Sequence, residues 1–409
     1  MLYCGIDWAW EELTLMVLDE KGNSIKEDFK IQNSLDGFFF ALSTIRLLCR
    51  EQEIIFGIET SNHRIVDFLA SYGYKLYLIN PISMDKFRKR YKTSGVKSDY
   101  LDAFVIANVL RTDLCTLKII TSKDELTEEL GIVLRDRESL VELKTRLTNQ
   151  LRASLREYFP QALKLFSDIS CGGSLEFLEA FPTHEEALKG TKKQIESVLR
   201  RSKSYSHDKV HEIYEALREQ QFPPSKAVIR AKRGLTLALV SQIKPLIKQI
   251  EAYDKRINSL LEQHPDSQLF LSLPGVGNTL AAGMIALLGD ERARFHSPRQ
   301  IQALGGTAPI TKSSGSYSHT QYRFSCNKDL RNTLSQFAFT SITKSLWARS
   351  YYNKKRKEGK TKSHALRCLA NAWVKVIFAI WRDNSLYDEN LHLASVSRHI
   401  INQNSLSLT

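Results

Sequence analysis

The chain has 409 residues, 43% of them hydrophobic and 25% charged, which is enough for two or three packed units. Lys and Arg number 58 against 45 Asp and Glu, a formal net charge of +13 that favours a polyanionic partner through phosphate neutralisation, although a ribosomal or membrane-surface protein could carry it too. The cysteines are scattered, with neither a CxxC pair nor a Cys–His cluster, which argues against a structural zinc site and a disulfide framework. The start MLYCGIDWAW has no secretory leader pattern, and no apolar run approaches about 18 residues, so a cytoplasmic protein with no membrane partner is expected.

In chain order, residues 2–7, 12–18 and 24–30 are predicted strands, the last two joined by a turn over Asp19 to Asn23. A helix follows from Leu35 to Leu48. The apolar run Ile54-Ile55-Phe56-Gly57-Ile58 then has the character of a buried parallel strand. A helix over 62–72, a strand over 75–79, a stop at Asn80-Pro81 and a helix from Ser98 continue an alternating β/α pattern.

This pattern places four acids. Asp7 and Glu59 each end an apolar strand, and the strand ends of a parallel sheet open into a shared crevice. Asp99 and Asp102 are three apart on one helix, which sets them on one side of it. Carboxylates gathered in one crevice repel unless cations sit among them, and hard oxygen ligands suit Mg²⁺ or Mn²⁺ held together with water and phosphate oxygens. Any one of these acids alone reads equally as a helix cap or a solvated side chain. Just before the acidic helix, Lys86, Arg88, Lys89, Arg90, Lys92 and Lys97 occur without an acid and with Phe87 and Tyr91 interleaved, as a phosphate-tracking groove or a solvated face would have them.

From about 119 to 268 the texture becomes helical. One apolar stripe runs through Leu126, Leu130, Val133, Leu140, Leu147, Leu151 and Leu155. A second runs through Leu239, Ile243, Leu246, Ile250, Tyr253, Ile257 and Leu260 at coiled-coil spacing, with Pro245 expected to kink it. Two antiparallel helices forming an arm or dimerisation element, or a plain bundle, both fit. The stretch 175–222 between them is mixed, polar and helical.

Leu273-Pro274-Gly275-Val276-Gly277 then leads into a helix from Thr279. Gly275 and Gly277 could let backbone N–H groups approach a phosphate in a helix–hairpin–helix, or form a plain turn. A Gly- and Ser-rich loop, Gly305 through Ser316, presents hydroxyls; a serine there can attack a phosphodiester, or the segment is a linker. His319, Arg323, Lys328 and Arg331 lie close by in sequence. Lys354, Lys355, Arg356, Lys357 and Lys360, with Trp347, Tyr351 and Tyr352, mark a further nucleic-acid surface or a solvated helix face. Residues after about 385 are polar and read as a tail.

Together, GIDWA at the start, GIET at 57–60, KSDYLDAFVIA at 97–107, then LPGVG, ALGGTAP, SSGS and YYNKKRKEGKTKSHALRCLA resemble the DEDD transposases of the insertion-sequence-110 type. The resemblance covers about 1–160 and 265–388; residues 161–225 carry no matching signature, and Ser325-Cys326-Asn327-Lys328 stands where basic, Gly-containing residues are usual. It implies a RuvC/RNase H-like α/β domain over 1–118, a helical coiled-coil or dimerisation region over 119–268, a helical transposase domain with helix–hairpin–helix over 269–388, and a tail over 389–409. It further implies that Asp7, Glu59, Asp99 and Asp102 bind Mg²⁺. Ser314, with Ser313 and Ser316 as competitors, would be the nucleophile of a covalent phosphoserine intermediate. The partners would be element and target DNA, a structured guide RNA and further copies of the chain in a homodimer or homotetramer. A two-metal nuclease without a covalent intermediate and a non-catalytic scaffold are the alternatives.

Overall fold

The computed structural model describes residues 1–49, 52–60, 63–91, 98–120, 124–200, 206–219, 224–315, 317–391 and 393. They fall into two compact units, Met1–Lys123 and Asp124–Thr409.

In the first unit, strands Leu2–Trp8 (β1), Glu12–Leu18 (β2), Ser24–Gln32 (β3), Ile54–Ile58 (β4), Lys75–Leu78 (β5) and Lys118–Ile119 (β6) form one sheet in the order β3-β2-β1-β4-β5-β6. β1, β2 and β3 are an antiparallel meander, β4 and β5 extend it in parallel, and β6 returns antiparallel. Because successive side chains alternate faces, Leu2, Cys4 and Ile6 of β1 pack with Phe38, Ala41 and Ile45 of helix Leu35–Cys49 (α1) and with Ile65, Val66 and Leu69 of helix Arg64–Ser71 (α2). Helix Pro81–Tyr91 (α3) begins where the sequence suggested only a stop, since a proline at the first helical position has nothing to lose. The Asn80 carbonyl accepts from Ser83 N and Met84 N, at 2.8 and 3.2 Å, and completes the helix start.

Helix Asp99–Asp113 (α4) covers the other face, and glycine decides how closely. A Cβ on Gly5 would lie 2.1 Å from the Ala103 carbonyl oxygen, and one on Gly57 would lie 2.9 Å from the Leu110 side chain. Gly5 thus lets the helix backbone rest on β1, and Gly57 makes room on β4 for the Leu110 and Ile106 side chains.

In the second unit, helices Glu125–Tyr158 (α5) and Lys226–Gln263 (α11) pair antiparallel. Cross-contacts fix the direction: Thr127 meets His264 at 2.8 Å, Arg137 meets Asp254 at 2.6 Å, and Glu157 meets Lys232 at 2.9 Å. The seam that the two stripes demand is filled within the chain, and α11 is continuous through Pro245. Between them in sequence come helices Pro160–Leu165 (α6), Gly172–Ala180 (α7), His184–Lys189 (α8), Lys192–Arg200 (α9) and His207–Ala216 (α10). They cap one end of the pair in a core that includes Leu151, Leu155, Phe177, Leu199 and Ile243.

The far end is buried in a second core with helices Ser267–Leu271 (α12), Asn278–Leu288 (α13), Pro298–Leu304 (α14), Lys328–Lys344 (α15), Leu346–Lys357 (α16) and Lys362–Asp383 (α17). Trp373 lies fully buried there and donates from Nε1 to Ser341 Oγ at 2.9 Å. Tyr158 ties the first core together: its hydroxyl donates to the Pro182 carbonyl at 2.6 Å and bonds Thr236 Oγ1 at 2.8 Å, while burial pushes its pKa up to about 12. Tyr158→Phe leaves the Pro182 carbonyl unsatisfied, so urea titration should show a loss of about 1 to 2 kcal/mol.

Candidate metal and nucleic-acid sites

The acidic set is built from strand register and helix direction. β1 and β4 are parallel with Ile6 paired to Ile58, so Asp7 and Glu59 emerge side by side at one sheet edge. The pleat that turns Gly5 towards α4 turns Asp7 the same way, and Glu59 follows directly on the end of β4. The C-terminal end of α4 lies at the opposite edge, where Arg111 packs on Gly22 in the β2–β3 turn, so its N-terminal turn with Asp99 and Asp102 lies on the Asp7 side. Ser98 caps that turn by accepting from Leu101 N at 3.2 Å.

The four acids are not equivalent. Asp99 is exposed, Asp7 and Glu59 are half-buried, and Asp102 is buried, because Asp102 faces the sheet while Asp99 opens the helix in solvent. Arg88, expected to face a nucleic acid, instead lies folded inward: Nε donates to Asp102 Oδ1 at 2.5 Å and Nη1 to Asp85 Oδ1 at 2.7 Å. The Asp102 hydrogen bond, with the nearby charges of Asp102, Asp85 and Glu59, pushes the Arg88 pKa up. The oxygen chemistry of the set fits Mg²⁺ or Mn²⁺. In this arrangement, among the described residues, no three acidic, histidine or cysteine side chains converge closely enough to hold a metal ion.

His63 joins the same edge without having stood out in the sequence. Its ring stacks on Trp8 at 4.0 Å and bonds Thr60 Oγ1, and burial lowers its pKa. Its only sequence signal is that it follows Glu59 by four residues.

Lys86, Lys89 and Arg90 are exposed on α3, whereas Lys92 and Lys97 lie outside the described residues. In the second unit, Gly275 has φ +79, and a Cβ on it would come 3.0 Å from the Thr340 carbonyl oxygen; glycine is required there by backbone and packing alike. Gly277, at the N-cap of α13, is the open one: a Cβ there would meet nothing within 4 Å. Lys354 and Lys357 line a shallow surface groove with Arg349, Ser350 and Asn353. Lys355 and Lys360 both bind Glu358, at 2.9 and 3.4 Å, and Arg356 donates to the Lys360 carbonyl at 2.5 Å.

The segment expected to be a Gly- and Ser-rich loop is a β-hairpin. Strands Ile310–Ser314 (β7) and Tyr317–Gln321 (β8) pair antiparallel, with Gly315 at φ +57 in the turn and Ser316 outside the described residues. Register sorts the hydroxyls. Ser314 lies opposite Tyr317 and shares a face with the cross-strand pair Lys312 and His319, whereas Ser313 shares the other face with Thr311, Ser318 and Thr320. Ser314 is exposed at the tip.

The hairpin base is fixed by arginines. Arg323 Nε donates to the Ala308 carbonyl at 3.4 Å, and Arg331 Nη2 donates to the Arg323 and Phe324 carbonyls at 2.8 and 3.1 Å. Arg331 and Arg367 both lie over the Tyr322 ring, at 4.7 and 4.1 Å. In the departing stretch, Cys326 packs against Gly306, and Asn327 caps α15 by accepting from Leu330 N at 2.8 Å.

A family model for transposases of the DEDD, IS110 type matches residues 4–160, and a second, described as the transposase IS116/IS110/IS902 family, matches residues 267–353. The mini-circle putative transposase for IS117 of Streptomyces coelicolor is 29% identical over 402 residues, which cover 95% of each chain. An uncharacterized 44.8 kDa protein of insertion element IS116 in Streptomyces clavuligerus is 26% identical over 397 residues, 94% of this chain and 96% of its own. A pilin gene-inverting protein of Moraxella lacunata is 25% identical over 139 residues, 33% of this chain and 43% of its own.

Proposed function

The chain belongs to the IS110-family transposases, and from that premise we propose that it cuts and exchanges DNA strands with a RuvC-like acidic metal site and a serine nucleophile. Asp7, Glu59, Asp99 and Asp102 would hold Mg²⁺ or Mn²⁺. Bound there, such an ion would supply Lewis-acid polarisation of a phosphodiester and neutralise charge developing on its oxygens. What supports this reading is the β1–β4 register, which brings Asp7 and Glu59 to neighbouring strand ends, together with the direction of α4, which sets its N-terminal turn on the same side.

Ser314 is assigned as the nucleophile ahead of Ser313 because the face it shares brings basic partners. His319 can take the hydroxyl proton, and Lys312 can face a phosphate oxygen. Oγ of Ser314 would bond to phosphorus, the bond from phosphorus to the leaving sugar oxygen would break, and that oxygen would take up a proton. Exposed Lys86, Lys89, Lys354 and Lys357, with the open Gly277 backbone, would track the backbones of element and target DNA and of a structured guide RNA. We place the reaction in the cytoplasm and in a homodimer or homotetramer, in which the acids of one copy could serve the serine of another.

The test is strand cleavage on a duplex spanning the junction of element and flanking DNA, supplied with RNA transcribed from the element. Asp7→Asn should lower cleavage by a factor on the order of 10³, since the metal contributes several kcal/mol to the transition state. EDTA should do the same to the parent chain, and excess Mg²⁺ should restore it. Cleavage that survives both treatments would refute metal-assisted strand transfer, whereas a parent chain that binds the duplex and never cuts it would leave a DNA-binding scaffold.

A further inference from the structure

We propose that Arg88 is a positioning residue that competes with a divalent cation for Asp102, so that the acidic set closes around metal only once its guanidinium has left. This rests on the reading of the four acids as a metal site. The pair is largely removed from water, with 15% of the Arg88 side chain and 4% of the Asp102 side chain exposed. A buried carboxylate left without a cation is strongly destabilising. Asp102 therefore needs either Arg88 or a metal beside it, and with Arg88 engaged its Oδ1 is already taken.

Glu59 also acts on Arg88 through its charge, so the guanidinium would repel a second cation drawn to Glu59 and Asp102. The two cations therefore compete by repulsion and for Oδ1 of Asp102. That accounts for acids which share an edge without being gathered for coordination.

The other anchor of Arg88 is weak. Asp85 is 76% exposed, and an ion pair in that setting contributes little. The guanidinium is thus held chiefly through Asp102. Once displaced, it would join exposed Lys86 and Lys89 on the same helix and face a phosphate. Metal entry and backbone contact become one exchange: Asp102 passes to the metal while Arg88 passes to the nucleic acid.

The probe is Mn²⁺ alone, titrated into the full chain without nucleic acid and followed by loss of the free-ion electron paramagnetic resonance signal. Arg88→Gln should tighten Mn²⁺ binding about tenfold by removing the competing charge. Asp85→Asn, at an exposed position that leaves no buried charge unpaired, should tighten it by about twofold to threefold and serves should the first variant fail to fold. Asp102→Asn should weaken it. If Arg88→Gln and Asp85→Asn bind Mn²⁺ no more tightly than the parent while Asp102→Asn weakens it, competition is refuted and the metal site stands. If Asp102→Asn and Asp7→Asn both bind as the parent does, the metal site itself is refuted, and the role of Arg88 with it.

Discussion

Ser314→Ala should abolish covalent protein–DNA adducts and lower strand exchange by a factor on the order of 10⁴ or more, because among the described residues no other group on that face of the hairpin is an aliphatic hydroxyl. Ser314 is exposed at the end of β7 and packs in no core, so the melting temperature should stay put while activity vanishes. Ser313→Ala removes a hydroxyl from the opposite face and should cost less than about tenfold. Denaturing electrophoresis of end-labelled duplex reads both outcomes. Continued cutting by Ser314→Ala with no adduct would make the chain a hydrolytic nuclease. Adducts that persist in Ser314→Ala but vanish in Ser313→Ala or Ser316→Ala would move the nucleophile by one or two positions.

Gly5→Val should severely damage the first unit. Its Cβ would enter the space of the Ala103 carbonyl and come 2.5 Å from the Ala107 amide nitrogen, and backbone cannot swing aside as a side-chain tip does. Helix α4 would have to lift from β1, separating Ile106 and Val109 from the sheet and carrying Asp102 away from Asp7. A loss of more than about 4 kcal/mol is expected, read as a collapse of the melting transition or as insoluble protein. Gly73→Ala is the control. It has φ +80, but a Cβ there would meet nothing within 4 Å, so it should cost only the left-handed backbone strain of about 1 to 2 kcal/mol. Equal damage from the two would show that close approach of α4 is not what glycine provides at position 5.

The first unit was largely legible because its signals are local and periodic. The strand over 12–18 with its turn at Asp19 to Asn23, the apolar run 54–58 and the helix start at Ser98 each mark an element within a few residues of where it lies. Asp7 and Glu59 follow from being strand-end acids. The difference between Asp99 and Asp102 does not, because spacing gives a shared side of the helix but not which turn the sheet covers. Helix α3 was hidden by Pro81, which ends a strand and starts a helix with equal ease.

The β7–β8 hairpin was hidden for a different reason. Both faces of Thr311–Ser314 are exposed, so no apolar alternation exists to report a strand. The two apolar stripes already suggest an antiparallel pair of helices, but the ion pairs that fix the register of α5 on α11, such as Arg137 with Asp254, 117 residues apart, are visible in neither stripe. Arg88 belongs to the same class: its basic neighbours advertise a solvent face, whereas its own orientation is set by a buried carboxylate 14 residues on.

The α5–α11 pair has a consequence for how force passes through the second unit. Its longer helix spans about 57 Å at 1.5 Å per residue. Each end is clamped in its own core, while α5 has no fully buried residue between Gly131 and Thr148. The span is therefore a strut with stiff sockets and a compliant middle. A load placed on the α12–α17 end would reach the α6–α10 cap through the two paired helices rather than through one continuous core.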